Sequence, residues 1–273
     1  LKIYLRVNRD APRIQTLIAV KAGSTYDPPE TTGLAHYLEH MMFKGTDEIG
    51  TLNWEKEKVL LRKISDLYEK HKATDDTVQK KIIYAMIDSV SAEAAKYAVP
   101  NEYDKMVSSL GAKRTNAYTS HERTVYMNDI PVNEFEKWLK MESERFSKLV
   151  LRLFHTELET VYEEFNMGQD DDSRRAHYAL LGGLFPNHPY GTQTTIGKAE
   201  HLKNPSMVNI HKYWNTYYVP DNMAICLSGD INPEQTIQMI DTHFGNFKPG
   251  NRPRLNLPEE KPIDGPVVKE VYG

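Results

Sequence analysis

Apolar and polar side chains alternate over Leu-Lys-Ile-Tyr-Leu-Arg-Val-Asn-Arg, residues 1–9, and predict a strand. Residues 13–22 predict a second strand. The stretch from Gly23 to Thr32, with Pro28 and Pro29, has the composition of a loop. Thr31 or Thr32 can then cap a helix over about 33–43 that stops near Gly45. Residues 52–110 read as almost wholly helical. Leu60, Leu61, Ile64, Leu67 and Tyr68 form one apolar stripe, and Ile82, Ile83, Met86, Ile87 and Val90 form another. Two long helices joined near Ala73–Asp76 would make a hairpin. The Thr-, Tyr- and Val-rich run 116–129, closed by Ile130-Pro131, predicts one strand. Helices follow over about 133–146 and 153–168; Asp170-Asp171-Asp172 interrupts the pattern, which resumes to about Leu181. Residues 186–191 have the composition of a turn. Beyond them lie a helix over 205–217, an apolar strand over 223–228 and a helix over 233–244. Strand pairs and helix clusters are mixed without a βαβ rhythm, which predicts an α+β fold.

Composition narrows the class. With 273 residues, 40% of them hydrophobic, the chain can bury a core. A net charge of -4 gives no electrostatic reason to expect nucleic acid or an anionic membrane as partner. Apolar runs such as 16–20 fall well short of the roughly 20 residues that a membrane span needs. A single cysteine, Cys226, excludes an intrachain disulfide and reads as a small buried hydrophobe in its strand. The chain opens at Leu1 inside a strand-like segment, so residues are expected to precede it.

The chemistry concentrates in His36-Tyr37-Leu38-Glu39-His40. Positions i and i+4 share a helix face, so both imidazoles can reach one metal ion. Glu39 lies beside them, where a carboxylate can take a proton from a metal-activated water. Leu34, Leu38, Met41 and Met42 would anchor the helix. The bland alternative is an ordinary helix with two exposed histidines. Zinc needs a further protein ligand, and residues 155–164 offer four carboxylates. At about 100° per residue, Phe154, Leu158, Val161, Tyr162 and Phe165 form an apolar stripe. Glu157 and Glu164 sit along one edge of it, while Glu159 and Glu163 fall towards solvent. Glu157 and Glu164 are thus candidates for a ligand and for a group that orients one.

His-x-x-Glu-His is the inverted zinc motif, and the longer string Gly33–Thr46 resembles the pitrilysin/insulysin family of metallopeptidases. That family includes insulin-degrading enzymes, mitochondrial processing peptidase and bacterial periplasmic peptidases. Asn116–Ser120, Glu157–Glu164, His188–Gly191 and Asn222–Asp230 also have family counterparts, so the resemblance covers about residues 1–250. It implies a mitochondrial-processing-peptidase-like domain, a mainly antiparallel sheet with helices packed on it. It implies a zinc endopeptidase with one Zn²⁺ per catalytic half, held by His36, His40 and Glu164. Glu39 would be the general base, and Glu157 would orient a ligand histidine. Asn116, Ala117 and Tyr118 would form the edge against which a peptide adds as a strand.

The resemblance also implies partners: peptide substrates, and a second, similar half that encloses a chamber. Residues 1–248 would be the catalytic domain, and the Pro-rich 249–273 a linker towards that second half. The likeness to bacterial members favours a periplasmic location, by analogy. The sequence departs from the family at 52–105, which reads as an inserted helical hairpin, and around Gly111-Ala112-Lys113-Arg114, where the family has Gly-Gly. The second functional reading is a zinc-binding, non-catalytic peptide-binding or assembly subunit; a third is a zinc hydrolase of non-peptide substrates. His188 and Tyr190 are candidates to approach the site, although turn structure explains them equally. Arg123 and Tyr126 are placed on the Asn116 strand as candidates to face substrate.

Overall fold

The computed structural model describes residues 1–251, 253 and 255–272. Of the expected linker, Arg252, Arg254 and Gly273 therefore lie outside the described residues. The chain opens with β1 (Lys2–Val7) and β2 (Arg13–Val20), then the zinc-motif helix α1 (Leu34–Met41). Next come α2 (Trp54–Ala73), α3 (Thr77–Ala95) and α4 (Glu102–Ser109), then β3 (Lys113–Thr119) and β4 (Thr124–Pro131). A helical series follows: α5 (Phe135–Ser147), α6 (Phe154–Gln169), α7 (Asp172–Leu184), α8 (Pro189–Thr192), α9 (Ala199–Leu202) and α10 (Met207–Tyr217). β5 (Met223–Gly229) and α11 (Pro233–Phe244) complete the core, and extended chain follows.

The five strands form one sheet in the order β1-β5-β2-β4-β3. Only the β1–β5 pair is parallel. In β2 the alternate residues Ile14, Thr16, Ile18 and Val20 are buried, so one face of the sheet meets the helices and the other faces outward. α1, α5 and α11 cover the inner side and α10 packs on α1, closing the core with Leu38, Met41, Trp138, Ile210 and Ile240. This is the expected α+β layering.

The predicted strand 116–129 is a hairpin instead. β3 and β4 pair antiparallel around residues 120–123. Ser120-His121-Glu122-Arg123 contains no Gly, Pro or Asn to mark a turn, and both flanks are rich in β-formers. Tyr126 accordingly lies on β4, fully buried, with its hydroxyl 2.9 Å from that of Tyr218; it does not face substrate. Arg123 sits in the turn with its guanidinium 5.8 Å from the Tyr118 ring centroid. Around the Gly-Gly departure the register slips between Lys113 and Asn116, and Arg114 takes a left-handed φ of 53°.

Cys226 also departs from expectation. It stands half-buried on the outer sheet face, in one row with Tyr4, Leu17 and Met127. The strand is apolar on both faces, so its pattern hides which side is covered.

The helical hairpin forms as expected from α2 and α3, with the Asp76 side chain capping α3 at Val78 N, 2.8 Å away. Leu61, Ile64, Leu67, Tyr68, Ile87 and Val90 are buried, whereas Ile82 and Met86 from the predicted stripe are exposed. A buried arginine ties this hairpin to the rest. The Arg152 guanidinium, just before α6, donates to both oxygens of Glu57 on α2, at 2.6 and 2.9 Å. It also donates to the carbonyls of Lys44, Thr46 and Ile49. Glu57 and Arg152 are both about 1% exposed, so each charge depends on the other for solvation.

Candidate metal centre

α1 does not use Thr31 or Thr32 as its cap. Gly33 is the cap residue, with a φ of 89°, and a Cβ there would lie 2.7 Å from the Ile196 carbonyl oxygen. The first free N–H groups are satisfied from a distance. The buried Asp27 carboxylate accepts from Gly33 N at 2.8 Å and from Ala35 N at 3.0 Å. Thr32 instead donates its backbone N–H to His201 Nδ1. Leu34, Ala35, Tyr37, Leu38 and Met41 point into the core, which turns His36, Glu39 and His40 towards an open cleft.

In that cleft His36 Nε2 and His40 Nε2 are 3.3 Å apart. Glu164 Oε2, reaching over from α6, is 3.5 Å from the first and 3.6 Å from the second. Donors bound tetrahedrally at zinc distances lie about 3.3–3.5 Å from one another, so the triangle fits a zinc ion. Nitrogen and carboxylate donors in this number are also the zinc-hydrolase set. Burial pushes the His36 imidazole down to about 3, which keeps its lone pair free near neutral pH. For His40, burial works downwards, but the hydrogen bond to Glu157 and the carboxylates of Glu164, Glu157 and Glu39 outweigh it and raise the value.

Glu157 accepts from His40 Nδ1 at 2.8 Å, which leaves Nε2 of that ring as the donor atom. Its other oxygen pairs with Lys44. Burial would raise the Glu157 carboxyl, but His40 and Lys44 hold it below the ordinary range. Glu39 is 8% exposed and accepts a 2.6 Å hydrogen bond from Thr119 Oγ1. Burial raises its carboxyl and the Thr119 bond opposes that rise. Glu159 and Glu163 are exposed, as the helix geometry predicted. A further acidic group, Asp47, Glu48 and Glu144, already surrounds Lys148 Nζ at 2.8–3.3 Å.

The cleft has a volume of about 970 Å³ and runs between β3 and α7. Among the described residues β3 is an unpaired sheet edge. Side chains alternate along it, so Thr119 and Ala117 face α1, while Asn116 and Tyr118 point the other way and are exposed. Asn116, Ala117 and Tyr118 all border the cleft. His188 and Tyr190 do not: His188 Nδ1 accepts from Tyr190 N, and the Tyr190 hydroxyl donates to Glu122 at 2.5 Å. Sequence reasoning missed Thr119, which period-two alternation from Ala117 could have found. It also missed Arg174 and His177 on α7, for which the sequence carries no comparable signal.

Residues 2–79, which contain His36, Glu39 and His40, match the family described as insulinase, peptidase family M16. Residues 208–271 match the peptidase M16 inactive domain. The chain carries domains of the insulinase family. Among individual relatives, the zinc protease PqqE of Helicobacter pylori is 27% identical over 75% of this chain and 45% of its own length. The mitochondrial-processing peptidase subunit beta of Dictyostelium discoideum is 22% identical over 84% of this chain and 39% of its own. The chain thus spans about half or less of the length of these family members. The solved first half of the periplasmic protease PqqL from Escherichia coli superposes with a TM-score of 0.68 at 18% identity, over 94% of this chain and 47% of that one. That likeness establishes the family fold.

Proposed function

We propose that this chain is the zinc-binding, catalytic part of a metalloendopeptidase that hydrolyses peptides or unfolded segments in a chamber completed by a second, similar half. The observation that carries the reading is the triangle of His36 Nε2, His40 Nε2 and Glu164 Oε2, with edges of 3.3–3.6 Å, beside a buried carboxylate. His36, His40 and Glu164 would hold the zinc, which when bound supplies a Lewis acid for water and for the scissile carbonyl. Glu39 takes the proton of the attacking water and later delivers it to the leaving amine. Thr119 holds Glu39 Oε2 and so aims the other oxygen into the cleft. Glu157 fixes the His40 tautomer, and Lys44 keeps Glu157 ionised for that task.

A peptide lies along β3 over Asn116, Ala117 and Tyr118 in extended form and bonds to the main-chain groups that the strand turns away from β4, those of Ala117. Asn116 and Tyr118 pair their main chain with β4 and turn their side chains to the outer face, so they border the path of the peptide on either side of Ala117. Residues 1–248 make the catalytic domain, with 52–105 as its helical insertion, and 249–273 lead towards the second half. The test is zinc content alongside cleavage of a quenched fluorescent peptide library, with the chain alone and with a second half added. One zinc per chain with cleavage supports the reading. One zinc without cleavage in either sample points to the non-catalytic binding role.

A further inference from the structure

The wall of the cleft opposite β3 is α7, and its polar side chains take no part in the chemistry above. Arg174, His177 and Tyr178 are three and four residues apart, share one face of that helix and line the cleft. The other face, with Ala176, Leu180 and Gly183, lines a second cavity together with Ile263, Val267 and Val271 of the extended segment. α7 therefore stands between that segment and the cleft.

Arg174 is exposed, and among the described residues its guanidinium makes no hydrogen bond or ion pair. It lies over Gly168, one helical turn beyond Glu164 on α6: a Cβ at Gly168 would meet Arg174 Nη1 at 2.7 Å. The missing side chain of Gly168 makes the room in which the guanidinium rests. The acids of the cleft are all committed. Glu157 serves His40 and Lys44, Glu39 is held by Thr119, and Glu164 faces the two imidazoles. The full charge left to meet a substrate is the Arg174 cation.

The geometry points to Arg174 as a specificity residue that receives the carboxylate of an Asp or Glu side chain next to the bond that is cut. This rests on the peptidase reading. A guanidinium presents a fork that matches a carboxylate with two parallel hydrogen bonds. A lysine in the same place would meet like charge, so the site also discriminates by repulsion.

The test is binding rather than turnover. The zinc-loaded chain carrying Glu39→Gln, with the second half added, is titrated into three fluorescein-labelled unstructured peptides that differ only in Glu, Gln or Lys beside the central bond. Fluorescence anisotropy is expected to rank them Glu, Gln, Lys, with the first about tenfold tighter than the last, which is 1.4 kcal/mol. Arg174→Ala should bring the ratio near one, Arg174→Glu should invert it, and Arg174→Lys should keep part of it. Gly168→Ala, which pushes the guanidinium aside and leaves Arg174 present, should also shrink it. Binding of all three peptides with no preference, or with a ratio unchanged by Arg174→Glu, overturns the inference and leaves the peptidase reading standing. Absence of binding to every peptide overturns that reading, and the inference with it.

Discussion

Single side chains carry the proposed chemistry, and each has its own expected loss. Glu39→Gln should keep zinc and lower kcat by about 10²–10⁴, the usual worth of a positioned general base. Full turnover in that variant would refute the assignment. Thr119→Val removes the hydroxyl that holds Glu39. It should lower kcat by roughly tenfold, one hydrogen bond to a charged group, with zinc content and KM unchanged. Glu157→Ala frees the His40 ring. Zinc affinity should then fall by about 10–100-fold, measured against a competing chelator. His36, Glu39 and His40 were legible because three residues on one turn fix their geometry locally. Glu157 and Glu164 were legible as a pair seven apart on one helix edge. Helix geometry alone left them unranked; the family resemblance ranked them, and Glu164 Oε2 lies beside both Nε2 atoms while Glu157 meets His40 Nδ1. Thr119 meets Glu39 across 80 residues of sequence, so only the pairing of α1 with β3 reveals it.

At the scale of elements, the site depends on how α1 is held at its first turn. Asp27→Ala removes the acceptor for two buried N–H groups. It should cost about 1–3 kcal/mol in urea unfolding, with zinc bound more weakly in the folded remainder. The Glu57–Arg152 pair joins the helical hairpin to the 44–50 loop that carries Lys44. Glu57→Ala leaves a buried guanidinium without its counter-charge and should cost about 3–5 kcal/mol, again read by urea unfolding. The hairpin itself was readable, because two long amphipathic helices give a strong periodic signal. The β3–β4 turn was not, since four polar residues without a turn marker interrupt a run of β-formers. The cap of α1 was misread for a similar reason: two threonines stand at the right place, but a distant aspartate does the work.

For the whole molecule, a sheet covered by helices on one face leaves β3 as a free edge beside the metal centre. The α+β class followed from the order of strands and helices. The outward-facing row through Tyr4, Cys226, Leu17 and Met127 did not, because apolar strands read alike whether one face or both are covered. The family likeness runs over most of the chain, while the relatives extend well beyond it. The central claim is that His36, His40 and Glu164 hold one zinc together. Zinc content is therefore to be measured by elemental mass spectrometry after dialysis against a weak chelator, for the chain and for Glu164→Gln. The account predicts one zinc per chain in the first and strong depletion in the second, with far-UV circular dichroism unchanged. Equal zinc in both, or none in either, would contradict it.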